Sequence, residues 1–184
     1  MQTLHGYEIF HKSQGAPSLI TQAKMRKIVR EIAELDRRFS LVIDKSELCD
    51  IGTNNPERSH FESLVSSVIS QQLATAAAQT IKSRFILECG KVTPKNVAKM
   101  ELEQLRAAGL SGAKAKTIQG LASAALDKSV DFKNLHDQPD EDVYRDLTQL
   151  WGIGPWTVDM FMMFQLGRLD IWPTGDLGVR RGWE

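Results

Sequence analysis

Leu150-Trp151-Gly152-Ile153-Gly154-Pro155-Trp156-Thr157 sets two glycines, separated by one apolar residue, between two stretches of helical periodicity. Upstream, Asp140 to Leu150 reads as helix through Val143, Leu147 and Leu150, and downstream the pattern resumes from Trp156 to about Leu166. A Gly-apolar-Gly turn lets the backbone reverse sharply and brings bare N–H groups to the surface. The second helix presents its unpaired N-terminal amides in the same place, so the two together suit a nucleic-acid phosphate irrespective of base sequence. A lone Gly-x-Gly reads as well as a tight turn between helices with no ligand. The flanking helices, Ile153 between the glycines and the Trp156-Thr157 that follows favour the phosphate site over that turn.

Working outward, the remaining segments are helical too. Ser59 and Glu62 have capping-box spacing, and Phe61, Leu64, Val65, Val68 and Ile69 then line one face. The pattern breaks at Ser70-Gln71-Gln72-Leu73, after which Thr75 is placed to cap an alanine-rich helix from Ala76 to about Cys89. Pro94 suits a first helical position, and that helix is expected to run toward Ala108 and stop at Gly109. Lys114 to Leu126 follows, then a polar segment from Asp127 to Pro139. Nearer the start, Met25, Ile28, Val29, Ile32 and Leu35 keep helical spacing, with a polar loop from Asp44 through Asn54, Asn55 and Pro56. Residues 1 to about 20 lack periodicity and read as a flexible arm, leaving 21–184 as the folded unit. No region sustains period-2 alternation, so the fold class is all-α.

Composition narrows the function without choosing it. The 184 residues suffice for one compact domain or two small lobes sharing a core. No stretch approaches the about 20 apolar residues of a membrane span, and no apolar signal segment opens the chain, which makes a cytoplasmic site the default. Lys and Arg number 23 against 23 Asp and Glu, a balance mildly against a DNA partner unless the basic groups are clustered. Cys49 and Cys89 alone cannot build a metal site.

Leu150-x-Gly152-Ile153-Gly154-x-Trp156-Thr157 resembles the helix-hairpin-helix of the DNA glycosylase superfamily, within which an invariant aspartate lies beyond the hairpin. Trp172-Pro173-Thr174-Gly175-Asp176-Leu177 supplies one, 22 residues after Gly154. Ser70-Gln71-Gln72-Leu73 resembles the family's duplex-probing loop, and Leu105 to Ala115 resembles the segment between those motifs. The four lie in family order from about residue 56 to 182. The nearest likeness is to the monofunctional 3-methyladenine DNA glycosylase II group, because bifunctional members carry a lysine nucleophile where this chain has Trp156. The resemblance implies a compact two-lobed helical bundle with its hairpin at about 141–166. It also implies that the β-rich N-terminal domain of larger members is absent and that the last C-terminal helices are missing, since the sequence stops eight residues after Asp176.

The implied chemistry is base-excision repair of duplex DNA containing alkylated purines such as 3-methyladenine and 7-methylguanine. Asp176 is then the catalytic carboxylate, stabilising the positive charge that grows on the sugar as the N-glycosidic bond breaks. Taken alone, an aspartate beside a Pro-Thr-Gly turn would read as a helix N-cap. Leu73 becomes the wedge that fills the gap left by a flipped nucleotide, and Gln72 the plug facing the orphaned base. Without the family pattern, Leu73 would be core. Trp156 and Met160 would line a pocket that attracts a cationic base, while Met162, Met163 and His60 read as structural and Asp170 as a surface charge. Gly152, Ile153, Gly154, Thr157, Lys114, Arg180 and Arg181 would meet the DNA backbone. The carbonyls of Thr148, Leu150 and Ile153 would hold a sodium or potassium ion at the hairpin. No cofactor is required, and two cysteines exclude the four-cysteine iron–sulfur cluster of endonuclease III. A monomer is expected, at the nucleoid in a bacterium or in the nucleus of a eukaryote. The competing readings are a non-catalytic helix-hairpin-helix DNA-binding module and an inactive truncated glycosylase.

Overall fold

Ser59 starts the central helix of the fold, its hydroxyl accepting the Glu62 amide at 3.2 Å. The helix, α3 (His60–Ser70), buries Phe61, Leu64, Val65, Val68 and Ile69, the five positions its periodicity marks. The coordinates are a computed structural model that describes residues 3–4, 7–8, 20–52 and 57–183. Among these the chain is all-α apart from one two-residue antiparallel ladder, β1 (Thr3–Leu4) with β2 (Tyr7–Glu8). The rest of the proposed N-terminal arm, and Asn54-Asn55-Pro56, lie outside the described residues.

Helix α7 (Gly112–Leu126) crosses α3, capped by Ser111, whose hydroxyl accepts the Lys114 amide at 3.3 Å. Its buried face alternates small and large residues, Ala115, Ile118, Leu121 and Ala122, which lets the backbones of α3 and α7 approach closely. Helix α4 (Thr75–Cys89) covers another side of α3 through Ala78, Phe85 and Cys89. The expected cap is displaced by one residue: Thr75 is already helical, Ala74 is the N-cap, and no side chain caps the first turn.

The single helix expected from Pro94 to Ala108 is two. Thr93 caps α5 (Pro94–Val97), and Glu101 opens α6 (Leu102–Ala107) through a capping box with Gln104. The sequence pattern hides this break, because each piece buries an apolar residue, Val97 in α5 and Leu105 in α6, about two helical turns apart in an unbroken helix, and Met100 between them is buried too. The polar segment 127–139 likewise contributes core. Val130, Phe132 and Leu135 are buried, and Phe132 meets Phe61 edge-on with ring centroids 5.9 Å apart.

The core is one continuous cluster from Phe61 to Ile171. The paired helices α1 (Gln22–Leu35) and α2 (Arg38–Ile43) stand outside it, with Met25 their only buried residue. Their anchor is the chain on either side: the Ile20 amide donates to the Gly52 carbonyl at 2.8 Å, and Gly52 is so close to Gly167 that a methyl group on either would collide with the other.

The functional end of the core is α8 (Asp140–Thr148), a six-residue turn, α9 (Pro155–Phe164) and, after a loop, α10 (Leu177–Trp183). Arg168, 4% exposed, clasps both ends of this unit. Its Nε lies 2.8 Å from Asp140 Oδ1 at the start of α8, and its Nη2 donates to the carbonyls of His136 and Gln138. The Asp140 contact is one of charge, since Nε and Oδ1 are not aligned as a hydrogen bond. Arg168→Met strands the Asp140 carboxylate in a dry site and is expected to cost about 3–5 kcal/mol. Adding Asp140→Leu should recover part of that loss, and urea denaturation of the two variants checks both.

Candidate active site

The apex of the hairpin depends on close approach. Gly152 has φ +82, a left-handed conformation, and a β-carbon there would collide with the Thr117 hydroxyl on α7. Ile153 is buried, so the apex is fixed by the core on one side and by α7 on the other. The Ile153 amide closes the turn onto the Leu150 carbonyl at 3.1 Å. Gly154 is the N-cap of α9, and its carbonyl accepts the amides of Thr157 and Val158 at 3.0 and 3.2 Å. That leaves the amides of Gly152, Gly154 and Trp156 with no backbone partner among the described residues. Nothing lies within 4 Å of the place a β-carbon would take on Gly154, so this helix end is bare. Unpaired amides at a helix N-terminus are an anion site.

Asp176 is held from two directions. Its Oδ2 accepts the Trp156 indole N–H at 2.8 Å, and its Oδ1 accepts the Val179 amide at 3.0 Å, which caps α10. The N-cap reading and the catalytic reading therefore describe the same side chain. The Trp156 hydrogen bond, then those from the Val179 and Gly178 amides, hold the carboxyl below the usual carboxylate range. Trp156 is the second residue of α9, so the helix that begins at the hairpin also carries the group that orients the carboxylate. The indole remains 38% exposed and Met160, one turn on, is half-buried. Met162 is fully buried, Met163 packs on the core, and Asp170 is exposed.

Between α3 and α4, Gln72 has φ +56 and is exposed, and Leu73 is exposed rather than core. Arg180 and Arg181 are exposed in the last turn of α10. Lys114 has a different setting: its ammonium donates to the carbonyls of Ile69 and Gln71 at 2.8 and 2.7 Å. Partial burial lowers its pKa. His60 begins α3, with its ring 3.1 Å from the Gln165 amide nitrogen and edge-on to Phe161. His5 and His11 lie outside the described residues. Cys49 is exposed and Cys89 buried, and no cluster of three or more potential metal ligands occurs among the described residues.

Two residues not singled out from the sequence also make contacts here. Gln71, beside the expected Gln72, donates from Nε2 to the Thr157 hydroxyl at 3.0 Å and to the Gly152 carbonyl at 3.4 Å. Trp151, 55% exposed beside Gly152, has the Lys116 ammonium 4.4 Å from its ring centre. The doubled glutamine hinted at the first, while the second needed two residues 35 positions apart to be brought together by packing.

A bare hairpin amide site next to an oriented, ionised carboxylate is the arrangement of a helix-hairpin-helix protein that acts on nucleic acid. The family model for the HhH-GPD superfamily of base excision DNA repair proteins matches residues 65–184, and the chain belongs to that superfamily. Alkylbase DNA glycosidase-like protein mag2 of Schizosaccharomyces pombe is 30% identical over 82% of this chain and 73% of its own. DNA-3-methyladenine glycosylase 1 of the same yeast is 35% identical over 73% of this chain and 63% of its own length. The solved DNA-3-methyladenine glycosidase from Bacillus halodurans superimposes with TM-score 0.72 at 32% identity, covering 94% of this chain and 75% of that one.

Two consequences follow from the geometry. Gly152→Ala forces a left-handed alanine against Thr117 and should cost at least about 1 kcal/mol of stability, visible in thermal denaturation, along with a loss of duplex-DNA affinity. Trp156→Phe removes the indole donor, so the Asp176 pKa should rise toward the ordinary carboxylate value. The sign is that of a depressed group: ionisation now survives to low pH and would be lost at higher pH in the variant. A carbon-detected NMR titration of the Asp176 carboxyl measures it.

Proposed function

We propose that the protein is a monofunctional DNA glycosylase of base-excision repair, acting on alkylated purines of the 3-methyladenine and 7-methylguanine type in duplex DNA. The observation that carries this reading is the 2.8 Å hydrogen bond from Trp156 to Asp176, which aims a carboxylate from the helix that starts at the hairpin. The names of the relatives support the substrate class.

In this reading the free amides at Gly152, Gly154 and Trp156, with Ile153 and Thr157 fixing the turn, seat a backbone phosphate, and Arg180 and Arg181 add positive charge beside Asp176. Leu73 and Gln72, exposed at the α3–α4 break, enter the duplex as wedge and plug while the damaged nucleotide swings out. Trp156 and Met160 form the wall against which the cationic base rests. The bond from C1′ to the base nitrogen breaks with its electron pair leaving on the base. Asp176 stabilises the cationic sugar and takes up a proton as water bonds to C1′. No amine stands at the position after the hairpin, so the product is an abasic site with the strand intact. The chemistry requires no cofactor. A sodium or potassium ion is proposed to rest on the carbonyls of Thr148, Leu150 and Ile153. It is supported by Thr148 ending α8, where carbonyls lack intrahelical partners. The enzyme is proposed to act as a monomer wherever the genome lies, in nucleoid or nucleus. No helix among the described residues is long and apolar enough to cross a membrane.

The test is release of 3-methyladenine and 7-methylguanine from methylated duplex DNA. The wild type should release both and leave abasic sites without strand breaks. Asp176→Asn should lose about hundredfold or more in rate while retaining duplex affinity. A folded protein that binds duplex but releases no base would be a helix-hairpin-helix binding module instead.

A further inference from the structure

The exposed tip at Gln72–Leu73 and the hairpin lie on different elements, and a closed ring of contacts joins them. Lys114 and Thr117, one turn apart, are on the same face of α7. Thr117 abuts Gly152 of the hairpin, while Lys114 reaches the other way and donates to the carbonyls of Ile69 and Gln71. The Gln71 side chain completes the circuit, donating to the Thr157 hydroxyl at 3.0 Å and the Gly152 carbonyl at 3.4 Å. Main chain of the tip, side chain of the tip, hairpin and α7 are each bonded or packed against the next.

We infer that Gln71 and Lys114 are positioning residues that hold the Gln72–Leu73 tip at a fixed distance and angle from the hairpin. The consequence would be that the protein's discrimination of a gapped duplex from an intact one depends on them. The inference relies on the glycosylase reading only for the purpose of the tip.

Several features of the ring point this way. Lys114 donates to carbonyls at the end of α3, where helix geometry leaves acceptors without partners. A cation with two hydrogen bonds committed inward is poorly placed to serve as a phosphate contact. Gln72 is a non-glycine residue at φ +56, a conformation that persists only where the surroundings over-determine it. The residue before it is the one clamped at both main chain and side chain, which is what holds the tip in that shape. Thr157 is buried, so its hydroxyl is a fixed acceptor and Gln71 cannot slide along the hairpin. A phosphate bound at the hairpin would thus be a fixed reference point for whatever Leu73 probes.

The experiment compares, at one salt concentration, affinity for a duplex with a stable abasic-site analogue and for the same duplex intact. The variants are Gln71→Met, which is neutral, close in size and loses the donor, Gln71→Leu and Lys114→Met, each verified as folded by thermal denaturation. The wild type should prefer the abasic duplex. Each variant should lose about tenfold of that preference, the scale of one hydrogen bond of this kind. Intact-duplex affinity of the two Gln71 variants should stay within about twofold, because phosphate contacts carry it and neither variant changes the charge. Gln71→Met alone suffices if Lys114→Met does not fold. A wild type without preference, folded variants that keep it, or a parallel fall in both affinities would each overturn the inference. Base release from methylated DNA is scored separately. Preference without base release would leave the inference standing and defeat the catalytic reading, while base release with unaltered variant preference would do the reverse.

Discussion

At Gly152 the chain turns through φ +82 with its α-carbon facing Thr117, and a side chain in that place would have to displace Thr117 of α7. The direction in which α9 leaves the turn follows from this contact. So does the side to which Trp156, two residues into α9, presents its indole, and with it the orientation of Asp176 twenty positions further along. Thr157, in the same first turn, is where the α3–α4 loop is fastened. A single close approach of the hairpin turn to α7 thus aligns three separate parts of the molecule: the amides at the start of α9, the Asp176 carboxylate and the exposed Gln72–Leu73 turn.

Charge is arranged by the same economy of local contacts. The chain has no net charge, and its surface is not broadly basic. What it offers an anion is dipolar, the uncapped amides at the start of α9, and these act at close range where salt screens little. Buried or half-buried charge is used for structure: buried Arg168 with Asp140 joins the two ends of the hairpin unit, and half-buried Lys114 terminates α3. Such groups resemble DNA contacts in a sequence and differ from them only in where the side chain goes.

Motif spacing was enough to identify the all-α class, the hairpin, the candidate aspartate and the loop that precedes α4. The apolar positions of α3 appeared in the core as their periodicity required, since a helix facing a core must repeat every three to four residues. Caps were less readable. Ser59 behaves as expected, yet α7 starts at Gly112 rather than Lys114, Ala74 rather than Thr75 precedes α4, and Glu101 restarts a helix in the middle of an apparently continuous pattern. A cap depends on one residue's backbone angles, whereas periodicity is averaged over many residues, so boundaries are the part of a helix most easily shifted by packing.

The signals for the proposed chemistry were local in sequence: glycines that permit one turn, a tryptophan in place of an amine, and an aspartate at a fixed distance. These follow from residue type and separation, which folding does not change. The partners of Gln71, Lys114 and Arg168 were decided only in three dimensions. Each is a polar side chain whose partners lie on another element, and in Gln71's case 81 and 86 positions away. A polar side chain can reach solvent, DNA or a buried carbonyl with equal ease in an open chain. Which it reaches is decided when the apolar faces of α3, α7 and α9 close on one another and leave particular carbonyls without water.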